Sequence, residues 1–360
     1  MARKVDTINL ARKFMVHHST YDYCLCSTDN IIYKYCYSNK VLSEIFRLPP
    51  RNLGFIGKIK DYIARSRLYR CFSDNIGVGH VTLLPSGTII SLYGSLYRYD
   101  GRKRLAEKTF DYNKYGIKSP LKGGIAVHPE SGNAYFGEYI NDKVSSIGIY
   151  CISDDGRKMH CCYKFESDEI KHVHGIFWDE YRHRLWVTTG DKDHESNLYY
   201  TDDEFDTLIK FSGGDQSWRM VSATFTKDYI YWGMDAGKDA PPDSKNKIYR
   251  MNVETKKRET LAEIDKPAYH IIKSCSGKMY LGTTYEIGMP NNPTKTADLW
   301  FSENGDVWDK IESLNFKPSN RKGCTKYAHL FFPTGILPDN EILITPVNTS
   351  KYDFTLLSIK

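Results

Sequence analysis

The segment Lys171-His172-Val173-His174 carries the sharpest chemical signal in the chain. On a strand, residues i and i+2 point to the same side, so His172 and His174 share a face. Two imidazoles on one face can bind a divalent metal, or one can act as a general base near neutral pH. A metal would need a third ligand, with His80, Asp191 and Glu138 as the candidates. The spacing alone does not supply one, so no cofactor is assigned, and a metal held by His172 and His174 stands as the alternative. Three acids, Glu138, Asp191 and Asp235, follow short apolar runs at comparable places. Two carboxyl groups flanking a glycosidic bond can serve as acid and base, or as acid and nucleophile, and their separation decides inversion or retention. His172, His174, Glu138, Asp191 and Asp235 are therefore the catalytic candidates. Arg219 offers a planar fork for a carboxylate or sulfate. Trp218 and Tyr285 offer flat faces for sugar rings, and His80, Tyr139 and Glu286 complete the substrate-binding candidates. Each has a plainer alternative. A histidine can be packed in a wall, an acid can cap a turn, and Arg219 can be held in an internal salt bridge to Asp191 or Asp235.

These residues converge only if the chain brings distant segments together, and an internal repeat does so. Five segments share one pattern: two apolar runs joined by a turn, a polar loop, then a Tyr-rich run ending in an acidic turn. The second runs include GNAYFGEY, HRLWVTTGD and DYIYWGMD. They are short, β-branched or aromatic, and follow turns such as Pro85-Ser86-Gly87, as hairpin strands do. Equivalent positions at Arg98, Ser153, Thr201, Arg250 and Ser302 are 55, 48, 49 and 52 residues apart. Four strands at that period describe a β-propeller blade. Weaker copies open and close the chain. Seven four-stranded blades is the best count and six the alternative, in a single all-β domain over residues 1–360. The N-terminal segment is expected to complete the last blade, because an open ring would expose a sheet edge. In a propeller, first-strand starts and second-strand ends meet on one face, and every candidate above falls at one of those two points. Residues 51–70 interrupt the repeat with apolar residues at helical spacing and six basic residues against one acid. This insertion is expected to be a helix packed outside the ring, or a patch for an anionic surface.

The ends of the third runs resemble the Asp box, the S-x-D-x-G-x-x-W turn of sialidase-like propellers. Ser302-Glu303-Asn304-Gly305-Asp306-Val307-Trp308 comes nearest, one residue short before the Trp. Ser153-Asp154-Asp155 and Thr201-Asp202-Asp203 keep the hydroxyl and the carboxylate. With runs such as YFGEY, HVHGIFWD and LWVTTGD, the chain resembles the sialidase-like, BNR-repeat propellers over roughly residues 20–360. The resemblance implies the fold and a carbohydrate-related role, not a sialidase. That activity would need three arginines, and only Arg219 is well placed. Phe46-Arg47-Leu48-Pro49 imitates the family's arginine motif but ends an outer strand.

Composition narrows the partners. The net charge of +6 over 360 residues is too mild for a dedicated nucleic-acid binder. No run approaches the roughly 20 apolar residues that span a bilayer. Nine cysteines without a C-x-x-C pair, and no apolar leader, point to reduced, mostly buried thiols in the cytoplasm. The expectation is a propeller enzyme that cleaves a glycan, as a glycoside hydrolase or polysaccharide lyase, with acidic glycans among the candidate substrates. The alternative is a non-catalytic propeller that binds a glycan or a protein partner.

Overall fold

The computed structural model describes residues 7–49, 59, 77–141, 146–290, 293–319, 321, 325–339 and 341–359. Its strands form seven sheets, each built on an antiparallel meander of four strands. This is a seven-bladed propeller, and the count of six is set aside. The fourth blade shows the plan: His172–Asp179 innermost, then Arg184–Gly190, Asn197–Thr201 and Ile209–Gly213. Its second strand is buried almost throughout, whereas its outermost strand is half exposed. That gradient follows from position, since inner strands are covered on both faces by neighbouring blades.

The ring closes as expected. Thr7–Arg12 pairs antiparallel with Thr355–Ile359 and becomes the outermost strand of the seventh blade. The first blade gains an extra pairing, as Thr334–Gly335 lies parallel to Met15–Ser19. Both pairings leave fewer open edges at the seam.

Blades are held to one another by apolar layers. Between the fourth and fifth, Trp186, Leu198, Trp232 and Met251 form part of one buried cluster. The indole of Trp186 donates to the fully buried Asp179 at 3.0 Å, which also accepts from Arg182 at 2.7 Å. Close approach of blades needs glycine where second strands end. A Cβ on Gly233 would stand 2.2 Å from the Cβ of Ala268 in the next blade, and one on Gly190 would stand 2.2 Å from Cε1 of His174.

The box-like turns behave as local ties. The Gly305 N–H donates to the Ser302 hydroxyl at 2.9 Å, and the Trp308 indole donates to the Gly305 carbonyl at 3.2 Å. Thr201 donates to Asp203 at 2.8 Å, and Ser153 to Asp155 at 2.7 Å. The described cysteines are free, but they are less buried than expected: Cys24, Cys26 and Cys151 are buried, while Cys161 and Cys275 are exposed. Among the described residues no helix is long and apolar enough to cross a membrane. The insertion read at residues 51–70 lies outside the described residues, Ile59 apart.

Candidate functional site

The face at which the inner strands begin carries a buried polar cluster built mainly from the fourth, fifth and sixth blades. His172 pairs with Gly190 across the first hairpin of the fourth blade, so Asp191, the next residue, arrives beside both histidines. The Nε2 atoms of His172 and His174 lie 3.1 Å apart, and each is 3.2 Å from Oδ1 of Asp191. Strict alternation is not what brings the two rings together. The register shifts between Val173 and Gly175, which makes His174 the extra residue of a β-bulge. Bulges re-aim side chains in this way next to functional sites. The same device recurs at His17 and at Tyr269, where the inner strands of the first and sixth blades shift register. Burial lowers His174 to about 4, so its ring is neutral at pH 7.

Arg219 precedes the inner strand of the fifth blade and is buried. It reaches three carboxylates: Asp191 at 3.3 Å, Asp235 at 3.3 Å and Asp239 at 2.9 Å. Of the two readings the sequence left open for Arg219, the structure shows the internal ion pair to Asp191 and Asp235. Lys171 adds a second cation on Asp191, at 2.6 Å. Burial pushes the carboxyl of Asp235 well above its ordinary range, with Arg219 working against it. At Arg219 burial acts against the charge, but Asp235, Asp191 and Asp239 outweigh it and raise its pKa further.

Two more candidates adjoin this group. The ring of Tyr139 stacks on His172 at 4.2 Å. Glu286 accepts from the hydroxyl of Tyr269 and, at 3.1 Å, from the Lys238 N–H. The others are placed apart. Glu138 accepts backbone N–H bonds from Lys118 at 2.9 Å and Gly148 at 3.0 Å, and so ties the connection entering the third blade to that blade's third strand. Trp218 is buried against Trp232, with ring centroids 5.3 Å apart, and Arg258 covers it at 5.0 Å, which leaves no face for a sugar. Tyr285 is buried and packs against Phe316 at 5.2 Å.

His80 belongs to a second buried group toward the first, second, sixth and seventh blades. Its Nε2 donates to the Pro120 carbonyl at 3.0 Å. His17 accepts from Lys122 at 3.1 Å, and His270 meets His329 at 3.0 Å. Tyr269 joins the two groups, its ring 5.2 Å from that of His329. The sequence reading passed over His17, Lys122, Tyr269 and Asp239. The first three sit on or beside inner strands, and the bulges that aim His17 and Tyr269 appear only in the strand register. Asp239 lies in a loop without a periodic signal.

Burial lowers His80 and His270 to about 3 and His18 to about 4, and takes His17 and His329 well below the usual value. Lys122 adds to the effect at His17, His80, His270 and His329. These rings are neutral in the folded protein, whereas the unfolded chain takes up their protons near about pH 6.5. Below that point the unfolded state binds more protons, so acid favours unfolding. The thermal midpoint is therefore expected to fall steadily from about pH 6.5 toward about pH 4. A midpoint that stays level across that window would contradict neutral burial of these rings.

A cleft of about 900 Å³ opens beside the first group, its lining including Lys171, Asp191, Glu195, Gln216 and Asp239. Asp191 thus belongs both to the buried cluster and to the cleft wall. The Asp191 N–H donates to Glu195 at 3.1 Å, and the Gln216 amide donates to the Asp191 carbonyl at 2.9 Å. These bonds fix the backbone that carries the carboxylate.

No protein-family model matches the sequence, and no curated protein matches it. Solved structures do match the fold. A GH74 enzyme of Niastella koreensis aligns over 96% of this chain and 53% of its own, with a TM-score of 0.59 at 13% identity. A GH74 xyloglucanase of Xanthomonas campestris aligns over 97% of this chain and 52% of its own, with a TM-score of 0.57 at 13% identity. An oligogalacturonate lyase in complex with manganese aligns over 100% of this chain and 96% of its own, with a TM-score of 0.59 at 10% identity. The chain spans about half the length of the two GH74 enzymes and nearly all of the lyase. At these identities the likeness is one of fold: a seven-bladed propeller whose structural neighbours include carbohydrate-active enzymes.

Proposed function

We propose that this propeller cleaves a glycan bound in the cleft beside Asp191. The observation that carries the reading is the position of Asp191, which is a cleft-lining carboxylate and is also held by two buried histidines and two cations. A group fixed from that many directions is pre-organised to act on a bound bond. Asp235, whose burial favours the protonated form, can hold a proton near it. The carbohydrate-active neighbours support the substrate class. The box-like turns at Ser302, Thr201 and Ser153 support our placing the chain beside the sialidase-like propellers. Arg219 is occupied by three carboxylates, so the reading does not require an acidic sugar.

The test is incubation of the full chain with neutral and acidic polysaccharides, following new reducing ends and the ultraviolet absorbance of unsaturated uronates together. Reducing ends without that absorbance identify a hydrolase, and both together a lyase. Asp191→Asn is expected to lower the rate at least about 100-fold, the lower bound for a positioned acid–base group. An equally active Asp191→Asn protein would remove the proposed site. Binding of a glycan with no product from any substrate would favour the non-catalytic alternative.

A further inference from the structure

His172, His174 and Asp191 turn three acceptor atoms toward one another. Nδ1 of His172 lies 2.6 Å from the Ile140 carbonyl oxygen, and Nδ1 of His174 lies 3.1 Å from that of Met220. A carbonyl oxygen only accepts, so each Nδ1 carries the ring proton. Each ring then turns its Nε2 inward. Those two nitrogens are 3.1 Å apart, and both lie 3.2 Å from the same carboxylate oxygen. The two histidines are essentially inaccessible to solvent. Three atoms able to act as ligands thus meet at one buried point, where a low local dielectric strengthens any charge placed among them. Arg219 approaches the same Asp191 oxygen at 3.3 Å from one side, and a cation among the three atoms would share that oxygen with it.

We infer that these three atoms bind one divalent first-row transition ion. The geometry suits it. A point about 2.1 Å from all three atoms lies roughly 1 Å off their plane and sees them about 100° apart, between octahedral and tetrahedral angles. Two imidazoles and one carboxylate supply three ligands on one side of the ion, and of the three only Asp191 lines the cleft. Two nitrogen ligands favour a transition ion over calcium or magnesium, which prefer oxygen.

The surroundings supply a second line of support. Histidine ligands characteristically donate their other ring N–H to a carbonyl or carboxylate, which fixes both tautomer and ring plane. Both rings do so here, to carbonyls on different blades. The outer oxygen of Asp191 is held by Lys171 at 2.6 Å. Gly190 leaves the space that the His174 ring fills. Each donor is thus oriented by a partner that is not itself a ligand.

The test uses the full chain, freed of any affinity tag and stripped with a chelator. Calorimetric titration with Co²⁺, Zn²⁺ and Mn²⁺ is expected to show one ion bound per chain for at least one of them. The thermal midpoint should rise with that ion, because a ligand that binds only the folded state stabilises it. Asp191→Asn and His174→Gln are expected to weaken binding at least about 100-fold, more than the loss of an outer partner usually costs. Circular dichroism shows which variants fold. X-ray absorption of the Co²⁺-loaded wild type reads the ligands without any variant, and two imidazoles in the shell are expected. Absence of stoichiometric binding by the wild type overturns the inference. So does a shell without imidazole, or undiminished binding by folded Asp191→Asn and His174→Gln. No sugar enters these measurements, so the inference stands or falls separately from the glycan reading.

Discussion

Arg219→Ala is expected to lower folding stability by about 3–5 kcal/mol, the usual cost of removing one partner from a buried ion pair. The side chain is buried, and its guanidinium is the shared counter-charge of Asp191, Asp235 and Asp239. Without it, Asp235 is a carboxylate deep in the protein with no cation beside it among its described ion pairs. Burial already pushes this carboxyl well up against the pull of Arg219, and losing Arg219 raises it further, so the variant keeps that proton to a higher pH. The folded variant then binds a proton that the unfolded chain has released. Folding is favoured by acid at that site, and the deficit against wild type is expected to shrink as pH falls. Both proteins share the acid-labile histidines, so the comparison is between the two at each pH. Adding Asp235→Asn to Arg219→Ala removes one stranded carboxylate and should recover part of the loss. Chemical denaturation of the four proteins forms a double-mutant cycle that isolates the coupling. A single variant within about 1 kcal/mol of wild type at neutral pH would show that the hub is not energetically coupled.

The ring itself was legible because its signals are periodic. Spacings near fifty residues, turns such as Pro85-Ser86-Gly87 and Tyr-rich third runs repeat often enough to count blades. The need to cover a sheet edge then places the N-terminal strand. The pairing of His172 with His174 was legible too, but for an incomplete reason, since a bulge rather than alternation aims the second ring. Less could be read where a side chain leaves the strand. Glu138 and Asp191 follow equivalent glycines at second-strand ends. Glu138 folds back onto the amides of Lys118 and Gly148, while Asp191 enters the cluster. Loop conformation decides between those fates, and loops carry no period. Arg219 illustrates the same limit. Its neutralisation depends on Asp239, whose loop no repeat predicts. The arrangement of polar groups is thus harder to read than the backbone that supports them, since each bond depends on local geometry that composition does not encode.

Lys266→Met is expected to cost about 3–5 kcal/mol as well, but with a different consequence when its partner is also replaced. Lys266 and Asp298 are both fully buried, their charged atoms 2.8 Å apart. The ammonium also meets Asp265 at 2.7 Å and Thr294 at 2.6 Å, and Asp298 accepts from Thr296 at 2.7 Å. Replacing the lysine alone leaves Asp298 in the sixth blade with only Lys310, at 3.7 Å and half exposed to solvent, as its counter-charge. Replacing both with apolar residues of similar volume, as in Lys266→Met with Asp298→Leu, removes two desolvated charges and is expected to return most of the stability. This pair is distant in role from the cleft, so the double variant should keep its activity and its metal binding. The corresponding replacement of Arg219 and Asp235 should abolish activity even if it recovers stability. That contrast separates a buried charge kept for the fold from one kept for the site. If the Lys266 and Asp298 double variant stays as unstable as Lys266→Met alone, the pair contributes specific packing that two apolar side chains cannot reproduce. If it folds well yet loses activity, the sixth blade transmits more to the site than its contacts suggest, and the division between scaffold and site fails.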